Sequence, residues 1–459
     1  MSWFPDILRD ERKVEATLSA VIFGALIYCA IFAYIYNYLP QPFFYEPADT
    51  FADWFNTSYW ARNLGTYDTW ATLYPPLSFV FLRFFGLDSC YPTGRWDPSA
   101  GLAARDCDWF GLVTIFGFFL LNLILIYATF RRINRRTALP RTICLGLGWP
   151  MLDGLERGNL VLVSFTCLLL WVAPLLKSSH SKAVSIGLAV NFKVYLIAAI
   201  VPLLLRRRWR FVEQALIAVV LVYLASYALL GRGTIPEIVR NIGDFASNPT
   251  TQVLDLWYSS TYKPAISLLE GNNFPVTLLL GSQAIEYLLI ALKGLILLAQ
   301  CAIMLAVGLA ALRPEVIPPY RFVNLGLLMA LITSEAGGYT PVYWTLLVLM
   351  EPWRGLGRKT AIVLCYVIAI PLDIPLYYAP PVVRDTYFGN STTIISYAVT
   401  VMPFVRPALV ILVAVAISSV TIRQVWGDIR VQGWSSRRRF RRDAPVLPGV
   451  LRPPARAAL

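Results

Sequence analysis

Lys182-Ala-Val-Ser-Ile-Gly-Leu-Ala-Val-Asn-Phe-Lys193-Val-Tyr-Leu-Ile-Ala-Ala-Ile-Val-Pro-Leu-Leu-Leu-Arg206-Arg-Arg decides how this chain is threaded. The apolar part, Ala183 to Leu205, is about one bilayer span long, the ~20 residues a crossing helix needs. Basic residues flank it on both sides, so a single crossing would put Arg206 to Arg210 on the wrong side under the positive-inside rule. Two half-helices meeting near Asn191-Phe192-Lys193 resolve the conflict, because both ends then return to the same face. That reading carries Lys193 deep into the membrane, where a charge is costly unless it faces a polar cavity or a counter-ion.

The rest of the chain reads the same way. It is 57% hydrophobic, with a mean hydropathy of +0.59, far from the balance of a soluble domain. Clear apolar runs are Ala16 to Leu39, Phe110 to Phe130, Phe211 to Leu230, Ile285 to Leu312 and Thr360 to Tyr378. No strand-length alternation appears, and helices satisfy their own backbone in lipid, so an all-α multi-pass protein is expected. The expectation is about eleven spans, the re-entrant pair, and an interfacial helix over Leu77 to Leu87 in the first outer loop. The +13 net charge is concentrated at Arg131 to Arg136, Arg206 to Arg210, Arg354 to Lys359 and Arg437 to Arg442. Read as topology signals rather than nucleic-acid contacts, these clusters place both termini in the cytoplasm. Residues 1–425 form the transmembrane unit, with the first outer loop over 40–109. Residues 426–459, rich in arginine and proline, read as a disordered cytoplasmic tail.

Five of the seven cysteines lie in apolar segments and read as packing residues. Cys90 and Cys107 share the first outer loop, and a disulfide between them is expected. The single histidine, His180, lies in a basic loop, which excludes histidine catalysis and histidine-rich metal sites. No metal-ligand cluster is evident. No cofactor is required by the sequence, although Asp49 with Asp53 leaves a divalent cation open.

Polar groups far apart in sequence converge on the outer side of this map: Asp49 and Asp53, Glu156-Arg157-Gly158-Asn159, Lys193, and Glu335 with Tyr339. Each has an ordinary structural reading, as interfacial polarity or a helix cap. Lys193 resists it most, because snorkelling from a half-helix apex is limited. The loop aromatics, Trp54 among them, suit sugar stacking and an interfacial aromatic belt equally well, whereas Tyr74-Pro75-Pro76 is accounted for by a stiff, headgroup-anchored entry to the interfacial helix.

Asp53-Trp-Phe-Asn-Thr-Ser-Tyr-Trp-Ala-Arg62, Gly65-Thr-Tyr67 and Tyr74-Pro-Pro76 together resemble the first outer loop of glycosyltransferase family 87, membrane enzymes of the GT-C fold. Glu156-Arg-Gly-Asn159 is similar to a turn of that family. Asn191-Phe-Lys193-Val-Tyr195, followed by Arg206-Arg-Arg-Trp209, is similar to its Lys-Leu-Tyr-Pro stretch and basic exit. The resemblance covers Asp53 to Arg210. Leu196 departs from it where the family carries proline, and so does Ser334-Glu335-Ala-Gly-Gly-Tyr339, in place of a Ser-Pro-x-Ser-Trp pattern.

The resemblance implies an inverting transfer of a sugar, with mannose favoured, from a polyprenyl-phosphate donor. The acceptor is a hydroxyl of a glycolipid or polysaccharide at the extracytoplasmic face of a bacterial plasma membrane. Such a displacement needs one base on the acceptor hydroxyl, and Asp53 is the candidate, with Asp49 as substitute. Lys193 and Arg157, with Asn159 and Tyr195, suit the donor phosphate. Glu335, Tyr339, Trp54, Asn56 and Tyr74 suit the sugar and acceptor pocket. Membrane lipids are expected partners and nucleic acids are not. Two other readings share the topology. A secondary transporter or flippase also uses broken helices and a buried lysine, but no internal repeat is present. A lipid-linked polysaccharide ligase or polymerase uses the same carrier, but with larger outer loops late in the chain.

Overall fold

Backbone polar groups in hydrocarbon have no water to bond, and the apolar runs accordingly fold as helices. The computed structural model describes residues 10–434 apart from 44–45, 93–99, 249–255, 258, 274–276, 278–279, 334–336 and 390. Among the described residues there are eighteen α-helices. In chain order they begin with α1 (Glu11–Tyr36), α2 (Ala52–Arg62), α3 (Pro76–Phe84), α4 (Ala100–Ala104), α5 (Trp109–Ile133) and α6 (Ala138–Gly146). The middle six are α7 (Trp149–Glu156), α8 (Val161–Val172), α9 (Ser179–Phe192), α10 (Val201–Leu205), α11 (Trp209–Leu230) and α12 (Ile235–Ser247). Last come α13 (Lys263–Glu270), α14 (Ser282–Leu312), α15 (Pro319–Leu331), α16 (Pro341–Leu349), α17 (Leu356–Ala369) and α18 (Met402–Gln432).

Five helices are long and apolar enough to cross a bilayer: α1, α5, α11, α14 and α18. Four of them coincide with apolar runs expected to span. Large apolar side chains stay exposed along them, among them Ile31, Leu120, Leu221 and Leu298, as a lipid-facing surface requires. The shorter α8, α15, α16 and α17 carry the buried core. The chain is an all-α membrane protein.

The re-entrant reading of residues 183–205 agrees with the contacts. Helix α9 starts beside the C-terminal end of α8, where Lys182 Nζ reaches the Ala173 carbonyl at 3.4 Å. It ends at Lys193, whose extended backbone (φ −140°, ψ 102°) stops the helix. A 3₁₀ turn over Val194–Ala199 and the short α10 then lead back. Phe211, at the start of α11, stacks on Trp171 at 6.2 Å, so the chain has returned to the end it left.

The segment between α1 and α5, expected as the first outer loop, is stitched onto the helices. Asp108 caps α5 through the Gly111 amide (3.0 Å) and also accepts from the Tyr91 hydroxyl (2.7 Å) and the Leu87 amide (3.2 Å). The Cys90–Cys107 disulfide is present, with Cα atoms 5.6 Å apart. Arg105 donates to the carbonyls of Ala48 and Thr50, fixing the segment just before α2. Helix α3 covers Pro76–Phe84, overlapping the helix expected at Leu77 to Leu87 and ending three residues short of it. It buries Phe79 and Leu82 and exposes Phe84.

Three boundaries differ from the sequence reading. Helix α17 ends at Ala369, where a span to Tyr378 was expected. Pro371 and Pro375, which lack amide donors, lie just beyond. The chain then forms two antiparallel pairs, β1 (Pro375–Tyr378) with β4 (Ala398–Thr400), and β2 (Val382–Thr386) with β3 (Ser391–Ile395). Strands were not foreseen at all. Helix α18 starts at Met402 rather than near Ile394 and continues to Gln432, past the boundary set at 426. Buried Val425 and Ile429 hold this extension, and the Arg313 guanidinium donates to the Gly433 carbonyl at 2.8 Å. Residues 435–459, most of the expected tail, lie outside the described residues.

Candidate active site

The N-terminal turn of α2 and the turn between α7 and α8 zip together through their main chains. The Phe51 amide donates to the Glu156 carbonyl (2.7 Å) and the Asp53 amide to the Arg157 carbonyl (3.0 Å). Gly158 is required between them. Its φ is +60°, and a Cβ there would lie 3.0 Å from Trp54 Cβ and 3.3 Å from Phe51 Cα. This docking presents two donors to Asp53, one on each carboxylate oxygen. Arg157 Nη2 lies 2.5 Å from Oδ1 and Asn159 Nδ2 lies 2.5 Å from Oδ2. Asn159 is itself oriented, because its Oδ1 accepts the Val161 amide at 2.9 Å. The Asp53 side chain is 20% exposed, so free lone pairs face outward from a fixed carboxylate.

Lys193 joins the same cluster from the break after α9. It is 7% exposed, donates to the Tyr74 hydroxyl at 3.3 Å, and lies over the rings of Tyr74 (4.6 Å) and Tyr339 (5.4 Å). Ser78 of α3 donates to the Phe192 carbonyl at 3.4 Å, which ties Tyr74-Pro75-Pro76 to the break. The Tyr74 hydroxyl stands between Asn159 and Lys193. Burial pushes its phenol well above the usual range and the Asp53 charge adds to this, so it stays a neutral donor at physiological pH. Asp53, Arg157, Asn159, Tyr74, Lys193 and Tyr339 thus share one site, although they come from five separate stretches of sequence.

The other expected residues sit elsewhere or at the edge. Asp49 is in a 3₁₀ turn before α2, within the field of Arg157 and Arg105. Burial raises its carboxyl above the usual range, Arg157 and Arg105 oppose this, and Asp53 reinforces it. Tyr195, two residues beyond Lys193, packs edge-on against Tyr343, with ring centroids 5.9 Å apart. Trp54 is buried against Phe81, and Asn56 presses on Gly101 of α4. Both therefore face the packing of the outer loop and not the Asp53 cluster. Glu335 falls in 334–336, outside the described residues.

Two charged groups behind the site were not singled out from the sequence. Asp153, in α7, is buried one turn before Arg157. Arg406, in α18, is 0% exposed; its guanidinium stacks 3.8 Å over Trp149 and lies 3.9 Å from Asp373. Charges inside apolar helices are themselves the signal that would have found both.

The family model described as Glycosyltransferase family 87 matches residues 73–334, more than half of the chain. The chain belongs to glycosyltransferase family 87. No curated protein and no solved structure gives a match. For this family 87 protein, Tyr74, Arg157, Asn159, Lys193 and Tyr195 lie inside the matched segment, Asp49 and Asp53 precede it, and Tyr339 follows it. It is a transferase that takes a sugar donor and an acceptor. The Asp53 carboxylate thus lies beside the Arg157 guanidinium and within the field of the Lys193 ammonium.

Proposed function

We propose that this glycosyltransferase moves a sugar, mannose by family weighting, from a polyprenyl-phosphate donor to a hydroxyl of a glycolipid or polysaccharide acceptor. The reaction takes place at the extracytoplasmic face of a bacterial plasma membrane. The observation that carries the reading is the fixed Asp53 carboxylate, held by Arg157 and Asn159 with Lys193 in the same site.

In the proposed step, Asp53 takes the proton of the acceptor hydroxyl as its oxygen attacks the anomeric carbon. The bond from that carbon to the phosphate oxygen breaks on the opposite face, and the configuration inverts. The polyprenyl phosphate leaves with one more negative charge, which the Lys193 ammonium and the Arg157 guanidinium stabilise. Tyr74 keeps the ammonium in place through its hydroxyl and ring. Asp53 is the carboxylate held by both Arg157 and Asn159, so it rather than Asp49 is assigned the base.

Transfer of label from a radiolabelled polyprenyl-phosphate sugar to membrane lipid by the purified protein in proteoliposomes tests the reading. Protected uptake of the label without product would replace it with transport. Lys193→Met is expected to lower kcat/KM by about tenfold to a hundredfold, the worth of a charge-assisted hydrogen bond in a buried site. The loss should grow as the leaving group becomes more basic, and an equal loss for every donor would remove Lys193 from the leaving-group role. Asp49→Asn is expected to keep transfer within about tenfold of wild type.

A further inference from the structure

The turn that carries Asp49 borders a second concavity besides the Asp53 site. Strand β2 is paired with β3 on one side only, so alternate backbone amides and carbonyls along its other edge are left for a further partner. That edge faces residues 46–49, because the Tyr387 amide just beyond β2 donates to the Pro47 carbonyl at 3.2 Å. Between the two segments a cleft of about 320 Å³ stays open, walled by Glu46, Ala48, Val383, Arg384 and Asp385. Its volume is at the lower end of the roughly 300–1,000 Å³ of small-molecule sites.

The cleft is tied to the Asp53 site. Arg105 donates to the Ala48 carbonyl at 2.7 Å and stacks 4.1 Å over the Tyr387 ring. Tyr387 in turn meets Phe51 edge-on, with ring centroids 5.7 Å apart, and the Phe51 amide donates to the Glu156 carbonyl beside Asp53. Asp53 is five positions beyond Ala48. Their Cα atoms are therefore at most about 18 Å apart, the fully extended length of that stretch. A short oligosaccharide covers that distance.

The walls are polar and of mixed charge. Arg384 Nε lies 3.8 Å from Glu46 Oε2, too far for a direct hydrogen bond, and donates instead to the Tyr397 hydroxyl at 3.2 Å. Among the described residues, neither Glu46 nor Asp385 accepts a hydrogen bond at its carboxylate. Two carboxylates against one guanidinium disfavour a phosphate. Carboxylate acceptors beside a guanidinium donor match the neighbouring hydroxyls of a pyranose ring, each of which both donates and accepts. Val383, 62% exposed, offers an apolar patch to the C–H face of such a ring.

We propose that this cleft binds a neutral sugar unit of the acceptor, beyond the unit whose hydroxyl is attacked, and so selects the glycan that is extended. The inference rests on the sugar-transfer reading given above.

The test is transfer in proteoliposomes with membrane lipid as acceptor, read as separate saturation curves for donor and acceptor. Asp385→Ala and Arg384→Met are each expected to raise the acceptor KM about tenfold, with the donor KM and kcat within about twofold of wild type. Val383→Trp fills the cleft without touching charge and should do the same, which keeps the test open if a charge variant fails to fold. Leu376→Ala, at an exposed position of the separate β1–β4 pair, should change neither KM. Free mannobiose should compete with the lipid acceptor and not with the donor. An unchanged acceptor KM in the cleft variants, an equal rise in Leu376→Ala, or no competition by mannobiose would overturn the cleft as a sugar site and leave sugar transfer in place. Absence of transfer by the wild type would instead remove the reading on which the cleft's role rests, and the role with it.

Discussion

Asp53→Asn is expected to lower sugar transfer by about 10²–10⁴-fold, the range that removal of a positioned base produces. The substitution keeps the size of the side chain and removes its charge and its proton-accepting capacity. Arg157 Nη2 can still donate to the remaining oxygen. The new amide nitrogen then faces Asn159 Nδ2, which now donates to Oδ2 at 2.5 Å. Asn159 cannot flip without cost, because its own oxygen accepts the Val161 amide. A loss of about 1–3 kcal/mol of local stability is therefore expected alongside the kinetic effect, too little to unfold the bundle. Rates in proteoliposomes, read with the thermal midpoint of each variant, separate the two effects. Turnover near the wild-type rate in stably folded Asp53→Asn would exclude Asp53 as the base.

What the sequence discloses about this site depends on whether a residue is conspicuous alone or only through its partner. Lys193 is conspicuous alone, since a charge halfway along an apolar run has a cost that only a reversal or a cavity explains. The reversal and its contact with Tyr74 both follow that logic. Cys90 and Cys107 stand out likewise, as cysteines in a polar loop. The Asp53–Arg157–Asn159 arrangement is different. Its members read as polar islands, but the main-chain pairing that aims them at one another spans about a hundred residues and leaves no local pattern. Trp54 and Asn56 lie within one helical turn of Asp53 in sequence, yet Trp54 packs against Phe81 and Asn56 against Gly101.

The missed elements have local explanations. Pro371 and Pro375 inside the run read as Thr360 to Tyr378 already mark the end of a helix, and Val382-Val383 and Thr392 to Ile395 are β-branched stretches on either side of a turn. Apolar content outweighed both signals. The extension of α18 to Gln432 is hidden by its arginines, while the spacing of Val425 and Ile429, four apart, matches the buried face of a helix. Arg141, Arg321 and Glu351 do not stand out in the sequence, although all three are buried.

Those three residues carry the second large effect. Glu351→Ala is expected to destabilise the protein by about 3–5 kcal/mol, the cost of removing one partner from a buried ion pair. Glu351 is 0% exposed and Arg321 is 1% exposed. Arg321 Nε donates to Oε1 at 2.6 Å and Nη2 to Oε2 at 2.5 Å, a two-pronged contact, and Arg358 Nε adds a third bond at 3.0 Å. The same turn is tied to α1, because Arg141 donates to the Leu349 carbonyl at 2.5 Å while holding Glu15 at 2.7 Å. Removing the carboxylate would leave Arg321 and Arg358 buried or half-buried against each other, with the Gln424 oxygen as their shared acceptor. This end of α16 is the one remote from Tyr339, so the thermal midpoint should fall while folded protein keeps its kcat. Glu351→Ala combined with Arg321→Met should recover part of the loss, since Arg321 no longer carries an uncompensated charge, while the space left by the shorter side chain and the Arg358 charge remain. A double variant as unstable as the sum of the two single ones would mean that the pair contributes through packing alone. Loss of kcat in folded Glu351→Ala would mean instead that α16 transmits strain from this network to Tyr339 and the site around Lys193.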